Sequence, residues 1–241
     1  MKIIKLAVAS LALLLIGMAH GDLETTLNSS TDNQTSQVEG YQYVSNLVLD
    51  KNVTLVGPNA TIDGTKSELI PQVRDRNRHT TVTLKGLTFR NCLSLNNYDN
   101  LIIGDCQFID SWLDIHGSSI LVKNSTFRHC VNGSSVGFGG AINLYNSSAM
   151  FDHCAFVNNS AYRTGTWNGS SGGTMRINRS TTALIEPIIE RNLAAYGGGI
   201  CAVDSDLFIY GGRIIHNEAR EVNLSPTSKL GGVGRCYRYY P

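Results

Sequence analysis

The chain has 241 residues, with 20 basic and 19 acidic side chains and a formal net charge of +1. This balance gives no field that would attract nucleic acid or an anionic membrane, which argues against proteins that bind either through charge. Hydrophobic residues make up 42% and charged residues 16%, with 24 Gly and only 5 Pro, so we expect a foldable, turn-rich chain that is not mainly helical.

The N-terminus has the pattern of a secretory signal peptide. Two lysines precede an apolar run over residues 6–16, and Ala19 and Gly21 lie three and one positions before a cleavage site ahead of Asp22. The apolar run is shorter than the roughly 20 residues that cross a bilayer, so we expect no transmembrane segment. The sequence therefore predicts a signal peptide over residues 1–21 and a protein that is secreted, extracellular or held at the cell surface.

Asn-X-Ser/Thr triplets are more frequent than chance predicts. Eleven occur, where random placement of the 21 Asn among 40 Ser and Thr would give roughly 3.5. The excess favours N-glycosylation of exposed loops, and the alternative is that turns rich in Asn and Ser generate such triplets by themselves. The candidate glycosylation sites are Asn28, Asn33, Asn52, Asn59, Asn124, Asn132, Asn146, Asn158, Asn168, Asn178 and Asn223.

Short β-prone runs recur at a fixed distance in the first half of the chain. Phe89, Phe108 and Phe127 lie 19 residues apart, in runs that Gly, Asn, Asp or Ser interrupt. About 19 residues at roughly 3.3 Å each are enough for one closed coil of three short strands, but not for a strand and a helix. The spacing therefore predicts stacked β-coils.

A glycine-pair repeat follows in three copies that share one register. In each copy an aliphatic residue or Met comes two positions after the pair, an apolar residue 14 positions later and an Asn three positions after that. The copies begin at Gly139–Gly140, Gly172–Gly173 and Gly197–Gly198, and Gly231–Gly232 begins a further, incomplete copy. We expect these glycines where a coil corner needs a positive φ or a close backbone approach.

Stacked coils bring equivalent residues into columns along the solenoid axis. One column is predicted to be an inward ladder, whose side-chain amides bond along the axis and satisfy backbone groups at the turns. The predicted ladder consists of Cys92, Ser111, Cys130, Asn159, Asn192 and Asn217.

The repeat resembles that of a known protein family. Gly-Gly-Ala-Ile at residues 139–142 with Phe156-x-x-Asn159 is similar to the repeat of polymorphic outer-membrane proteins, surface adhesins built on a right-handed parallel β-helix. This resemblance covers about residues 121–234, and residues 53–64 and 82–91 resemble the opening coils of the broader pectin-lyase-like superfamily. Both resemblances imply the same fold.

We therefore predict an all-β fold, a single-stranded right-handed parallel β-helix or solenoid. The predicted β-helix domain covers residues 46–241, with an incomplete last coil. Residues 22–45 are predicted to be a flexible N-terminal segment.

One stretch, residues 110–116, could carry chemistry. Strand alternation predicts that four of its side chains form one outward strip of two acids, an indole and an imidazole, namely Asp110, Trp112, Asp114 and His116. Asp110, Asp114 and His116 are weak catalytic candidates, because carboxylates and imidazole can act as acid and base on a polysaccharide. The superfamily enzymes' Asn-Thr-Asp, Asp-Asp, Gly-His-Gly and Arg-Ile-Lys signatures are missing from the sequence, so a solvated strand face is favoured.

The six cysteines permit 15 pairings, which the coil register reduces. Cys92 and Cys130 would lie two rungs, roughly 9.6 Å, apart, beyond the limit of about 7 Å for a disulfide, so both are predicted to be buried thiols. Cys201 and Cys236 follow successive glycine pairs at nearly equivalent positions and are the predicted disulfide. No Cys-x-x-Cys or His-x-x-His pair indicates zinc, and we expect neither a metal nor another cofactor.

Two classes of function stay open at this point. The first is a glycosylated, non-enzymatic β-helix that serves adhesion or recognition, with extracellular glycans or surface proteins as partners. The second is a polysaccharide-active enzyme, a lyase or glycoside hydrolase, or a carbohydrate-binding module. Fold alone does not decide between them, because this superfamily carries many unrelated functions.

Overall fold

The computed structural model describes most of the chain between residues 31 and 220. The described residues are 31–44, 51–64, 80–92, 100–133, 137–162 and 169–220, the single residues Leu23, Leu27 and Leu49, and the backbone of 233–235. Within them the chain is a parallel β-helix solenoid, in which every strand pairs in parallel with its equivalent in a neighbouring coil.

The strands are short and follow one another closely. The first coils contain β1 (Gln34–Gln37), β2 (Tyr41–Tyr43), β3 (Val53–Val56), β4 (Thr61–Asp63), β5 (Thr81–Lys85), β6 (Thr88–Arg90), β7 (Asn100–Gly104) and β8 (Gln107–Ile109). The central coils contain β9 (Leu113–His116), β10 (Ser119–Lys123), β11 (Thr126–Arg128), β12 (Val131–Asn132), β13 (Ile142–Tyr145), β14 (Ser148–Asp152), β15 (Ala155–Val157) and β16 (Ser160–Ala161). The last coils contain β17 (Met175–Asn178), β18 (Thr181–Ile185), β19 (Ile188–Glu190), β20 (Leu193–Ala194), β21 (Ile200–Val203), β22 (Asp206–Tyr210), β23 (Arg213–Ile215), β24 (Glu218–Ala219) and β25 (Val233–Arg235).

These strands form four sheets along the solenoid. The first sheet has the order β1-β3-β5-β7-β10-β14-β18-β22, and the second has the order β2-β4-β6-β8-β11-β15-β19-β23. The third sheet is β12-β16-β20-β24, and the fourth is β9-β13-β17-β21-β25. From β9 onward each coil visits the fourth, first, second and third sheets in turn.

The solenoid begins earlier than the predicted boundary at residue 46. β1 pairs with β3 and β2 pairs with β4, so both strands lie inside the segment 22–45 that the sequence assigns to a flexible N-terminus. Val38 and Val44 after these strands are buried in the core. The boundary is too late because β1 and β2 are rich in Gln, Ser, Thr and Tyr and lack the apolar alternation of the later strands. The predicted signal peptide over residues 1–21 lies outside the described residues.

The core is a column of inward side chains from successive coils. Phe89, Phe108, Phe127 and Phe156 are cross-strand neighbours in the second sheet, with ring centroids 4.9, 4.6 and 5.0 Å apart along the column. All four side chains are at most 2% exposed. The 19-residue spacing of the first three therefore equals one complete coil, and the longer spacing to Phe156 includes an inserted loop.

Each corner before a ladder residue has a left-handed backbone. The residues immediately before the six ladder positions have φ between 50 and 56°, namely Asn91, Asp110, His129, Asn158, Arg191 and His216. A left-handed residue turns the chain sharply enough for the next side chain to point into the solenoid. The small polar or sulfur-containing side chain that follows then lies at the buried corner.

The structure places the six predicted ladder residues in one buried column. The backbone N–H of Cys130 donates to Asn159 Oδ1 at 2.9 Å, that of Asn159 to Asn192 Oδ1 at 2.8 Å, and that of Asn192 to Asn217 Oδ1 at 3.0 Å. Asn192 also donates through Nδ2 to the carbonyl of Phe156 at 3.1 Å. In the earlier coils the N–H of Cys92 donates to Ser111 Oγ at 3.0 Å. In these coils one side-chain oxygen therefore accepts a hydrogen bond from the backbone N–H of the ladder residue in the coil before it.

A second ladder, made of serines, lies between the fourth and first sheets. The N–H of Ser118 donates to Ser147 Oγ at 3.2 Å, that of Ser147 to Ser180 Oγ at 3.0 Å, and that of Ser180 to Ser205 Oγ at 3.0 Å. Sequence analysis did not identify it. A signal was present, because these serines are separated by 29, 33 and 25 residues, the spacings that separate Cys130, Asn159, Asn192 and Asn217.

The glycine pairs serve both purposes that the sequence suggests. Gly139 has a φ of +65°, in the left-handed region. A Cβ on the next glycine, Gly140, would lie 2.0 Å from the carbonyl oxygen of Gly173 in the following coil. Gly173 has the same relation to the carbonyl oxygen of Gly198, also at 2.0 Å. The second glycine of a pair is therefore required by the close stacking of coils.

Four cysteines of the described residues are free, and all four lie in the core. Cys92, Cys106, Cys130 and Cys154 are buried, and each donates its S–H to a backbone carbonyl two residues earlier. Burial raises the pKa of the Cys92 and Cys130 thiols to about 12, which leaves them protonated and unreactive at neutral pH. Cys201 is disulfide-bonded, and its backbone pairs with Gly234. The predicted partner Cys236 lies outside the described residues, so that pairing stays a prediction.

Replacing Asn192 with Leu tests the ladder. The change leaves the N–H of Asn159 and the carbonyl of Phe156 buried without their partners, and each such group costs about 1–3 kcal/mol. We expect a clear fall in the free energy of unfolding measured by urea denaturation. The control Asn100→Leu changes an exposed amide and should cost less than about 0.5 kcal/mol. Equal stabilities of the two variants would show that the ladder contributes nothing.

Candidate functional site

The predicted strip begins on β9, the first strand of the fourth sheet. Ser111, Leu113 and Ile115 are buried, whereas Trp112, Asp114 and His116 are partly exposed on the outer face. The strand alternation predicted for residues 111–116 is therefore the one observed.

Asp110 does not continue this strip. It is exposed at the corner after β8, with a φ of 51°, and its N–H donates to the carbonyl of Arg128 at 3.3 Å. Strand alternation predicts that Asp110 lies beside Asp114 only if the strand continues back to residue 110, and the chain turns a corner there instead. The structure therefore leaves Asp114 and His116 as the neighbouring pair and removes Asp110 from it.

Asp114 is the centre of a small hydrogen-bonded cluster. His116 Nε2 lies 3.0 Å from Asp114 Oδ1, and Asn143 of the next coil donates through Nδ2 to the same oxygen at 2.7 Å. The hydrogen bond to Asp114 raises the pKa of His116, an effect that partial burial opposes and the negative charge of Asp114 reinforces. The His116 side chain remains 42% exposed, so it is accessible to a ligand.

Two further side chains extend the cluster toward the C-terminal coils. The ring of Tyr145, in register with His116, lies 5.6 Å from the imidazole at an angle of 41°. Arg179 at the following corner donates through Nη1 to the Tyr145 hydroxyl at 3.1 Å, with its guanidinium carbon 6.0 Å from the ring centroid. We call this connected set, together with Trp112 on the same outer face, the outer strip: Trp112, Asp114, His116, Asn143, Tyr145 and Arg179.

An arginine on a ring adjoins the outer strip. Arg176 is the neighbour of Asn143 on the next strand, and its guanidinium carbon lies 3.8 Å from the centroid of the Phe138 ring. Asn143 itself is 9% exposed, and its Oδ1 is buried without a hydrogen-bond partner. The fourth sheet therefore presents amide, carboxylate, imidazole, phenol and guanidinium groups on one face.

Sequence reasoning missed Asn143, Tyr145, Arg176 and Arg179. They lie 29 to 65 positions from Asp114 along the chain, and only the pairing of β9 with β13 and β17 brings them beside it. The glycine-pair repeat predicts part of this arrangement. Ile142 and Met175 occupy equivalent positions in their copies, so Asn143 and Arg176, one residue later, are neighbours on adjacent strands.

Asp114 is the one carboxylate of the outer strip, and its Oδ1 already accepts two hydrogen bonds. A glycosidase mechanism uses two carboxyl groups across the scissile bond. In the described part of the chain, no group of three His, Cys, Asp or Glu side chains has a geometry that could hold a metal ion.

The predicted glycosylation sites differ in exposure. Five are exposed at residues with positive φ, namely Asn33, Asn59, Asn124, Asn146 and Asn158. Asn132 and Asn178 are only 2% and 7% exposed, so a glycan at either is incompatible with this fold and those two predictions are wrong for the folded chain. Asn52 is half-buried, and both ends of its amide are hydrogen-bonded. Asn28, Asn168 and Asn223 lie outside the described residues.

Comparison with known proteins gives no relative. No family model, no curated protein and no solved structure matches the chain. The similarity to the polymorphic outer-membrane-protein repeat therefore rests on the repeat alone. Where the structure describes the chain, it contains no helix long and apolar enough to cross a membrane.

The pKa of His116 tests the geometry of the cluster. Because Asp114 raises it, Asp114→Asn should lower the pKa measured by NMR titration toward the ordinary value of about 6.5. In the unsubstituted chain, protonation of His116 stabilises the folded state. This stabilisation is complete below about pH 6.5 and is lost as the pH rises through the pKa of His116 in the folded state. The control Asp152→Asn changes a carboxylate beside His153 and should leave His116 unaffected. An unchanged His116 pKa in Asp114→Asn would contradict the contact.

Proposed function

We propose that this chain is an exported, non-enzymatic β-helix protein that recognises extracellular glycans through the outer strip. The observation that carries the proposal is the connected cluster of Asp114, His116, Asn143 and Tyr145, completed by Arg179. Export is supported by the signal-peptide pattern, and a role at a cell surface or matrix by the resemblance to the adhesin repeat.

The groups of the outer strip suit a sugar ligand. Sugars present hydroxyl groups, which amide, carboxylate and guanidinium groups can bind, and less polar ring faces, which Trp112 and Tyr145 can contact. Asp114, His116, Asn143 and Tyr145 lie on paired strands of a stacked sheet, so their positions are fixed before a ligand binds. Such preorganisation lowers the entropic cost of binding.

Glycans on this protein are part of the same proposal. The exposed corner sites Asn33, Asn59, Asn124, Asn146 and Asn158 are the ones we expect to be modified on a secretory route. Asn146 directly follows Tyr145, so a glycan there would lie beside the outer strip. Binding is therefore best measured on protein with and without enzymatic removal of N-glycans.

The second candidate is a polysaccharide-active enzyme. The observation in its favour is the hydrogen-bonded Asp114–His116 pair, in which an imidazole with a raised pKa could act as an acid. Cleavage of a polysaccharide by the purified protein that is lost in Asp114→Asn would establish this alternative and overturn the non-enzymatic proposal.

A panel of immobilised neutral, uronic-acid and sulfated oligosaccharides tests recognition directly. We expect binding of at least one class, weakened about tenfold or more by Tyr145→Ala and by Arg179→Ala, which corresponds to about 1.4 kcal/mol or more.

Two substitutions elsewhere on the solenoid serve as matched controls. Tyr43→Ala on the second sheet and Lys85→Ala on the first sheet remove an aromatic and a cationic side chain away from the outer strip, and should leave binding unchanged. Absence of binding to every class, or equal weakening by all four variants, would contradict the proposal.

A further inference from the structure

A cluster of charged side chains lies at the corner that follows the second sheet. Glu190 ends β19 and Arg191 follows it at the corner, while Arg213 begins β23 and His216 follows that strand. β19 and β23 are paired, so the four residues lie on two adjacent coils. Arg191 and His216 both have a left-handed backbone, with φ of 55° and 56°. We call these four residues the Glu190 cluster.

One carboxylate contacts both arginines of the cluster. Arg191 Nη1 lies 2.8 Å from Glu190 Oε1, and Arg213 donates through Nη2 to Glu190 Oε2 at 3.1 Å. His216 Nδ1 lies 3.9 Å from Oε1. Each oxygen of the carboxylate therefore holds a different guanidinium group, one from its own coil and one from the next.

The two arginines extend past the carboxylate into solvent. The Glu190 side chain is 12% exposed, whereas the side chains of Arg191, Arg213 and His216 are 61%, 57% and 67% exposed. A guanidinium group has five N–H donors, and its contact with Glu190 uses only part of that capacity. Each arginine therefore has donors available to a ligand that approaches from solvent.

The Glu190 cluster has an excess of positive charge. Two guanidinium groups share one carboxylate, which leaves one positive charge even with His216 neutral. Two other acids of these coils are bound elsewhere. Glu186 Oε2 accepts from the N–H of Gly212 at 3.0 Å. Glu218 pairs with Arg220 at 2.8 Å. An anion at the cluster would offset both the excess charge and the repulsion between the two guanidinium groups.

The stacking of the coils does not require these charges. Val157 on the preceding strand and Ile215 on the following strand are the neighbours of Glu190, and Ile188 is the neighbour of Arg213. The same parallel pairing therefore forms with uncharged side chains at equivalent positions. Exposed ion pairs also add little to stability. Folding alone thus gives no reason for two arginines on one carboxylate.

We propose that Arg191 and Arg213 form a binding site for a tetrahedral oxyanion, the sulfate or phosphate group of an acidic ligand. Arginine binds such groups through paired N–H donors, and hydrogen bonds between charged groups are short and strong. Glu190 is a positioning residue, because it holds both guanidinium groups in place before the anion binds and so lowers the entropic cost of binding. The site lies on the second sheet and shares no residue with the outer strip.

NMR titration of isotope-labelled protein with sodium sulfate and with sodium phosphate, at an ionic strength kept constant with sodium chloride, tests the proposal. We expect saturable shifts of the side-chain N–H signals of Arg191 and Arg213, with a Kd in the millimolar range. Arg191→Gln and Arg213→Gln should each raise the Kd about tenfold, because each removes one of the two guanidinium groups.

Arg128→Gln is the matched control. Arg128 is an exposed arginine in the same column as Glu190 and lies two rungs, roughly 9.6 Å, before it. Its substitution removes the same charge and should leave the Kd unchanged. Absence of saturable binding of both anions would overturn the proposal. Equal weakening by all three substitutions would also overturn it, since that result is expected from diffuse attraction to the net charge.

A sulfated oligosaccharide and its unsulfated form identify the source of the anion. If the sulfated form binds more tightly than free sulfate and loses this advantage in Arg191→Gln, the site takes a sulfate ester on a glycan. An equal Kd for the two identifies the free ion as the ligand. Shifts from the sulfated form at Tyr145 and Arg179 but not at Arg191 and Arg213 would support the outer strip and overturn the site at the Glu190 cluster.

Discussion

The structure depends on one kind of hydrogen bond, in which a buried backbone N–H at the corner of one coil donates to a side chain of the next coil. The N–H groups of four ladder residues, Cys92, Cys130, Asn159 and Asn192, each donate to a Ser or Asn side-chain oxygen of the following coil. A buried N–H without a partner would cost about 1–3 kcal/mol at every corner. This requirement fixes the register of the coils, and the register in turn stacks the phenylalanines of the core and aligns the groups of the outer strip.

Much of the fold follows from the sequence, because one coil of the solenoid is short enough for its period to be visible. The 19-residue spacing of Phe89, Phe108 and Phe127 and the glycine-pair register both lead to the observed parallel stacking. Prediction failed at β1 and β2, whose polar side chains lack the core pattern although their backbones pair normally with the next coil. Backbone pairing needs no particular side chain, so a polar end coil leaves a weak signal.

Three of the eleven Asn-X-Ser/Thr triplets have a structural explanation in the corners. At Asn124, Asn146 and Asn158 the Asn takes the left-handed position, the next residue points inward, and the third begins the following strand. Left-handed corners favour Asn, and buried corners and strand starts here use Ser or Thr, so the fold generates these triplets without reference to glycans.

The sequence predicts only part of the outer strip. Alternation along one strand predicts the positions of Trp112, Asp114 and His116. Asn143, Tyr145 and Arg179 depend on pairing between coils, which the sequence does not display.

Residue-resolved amide hydrogen exchange on the ladder tests the central claim most directly. The N–H groups of Cys130, Asn159 and Asn192 have side-chain oxygens of the next coil as their partners. The account predicts that they exchange as slowly as the strand N–H groups of Phe127 and Phe156, opening only with the solenoid as a whole. Exchange at the rate of exposed loops would show that the corners are not stacked in this register and would contradict the account.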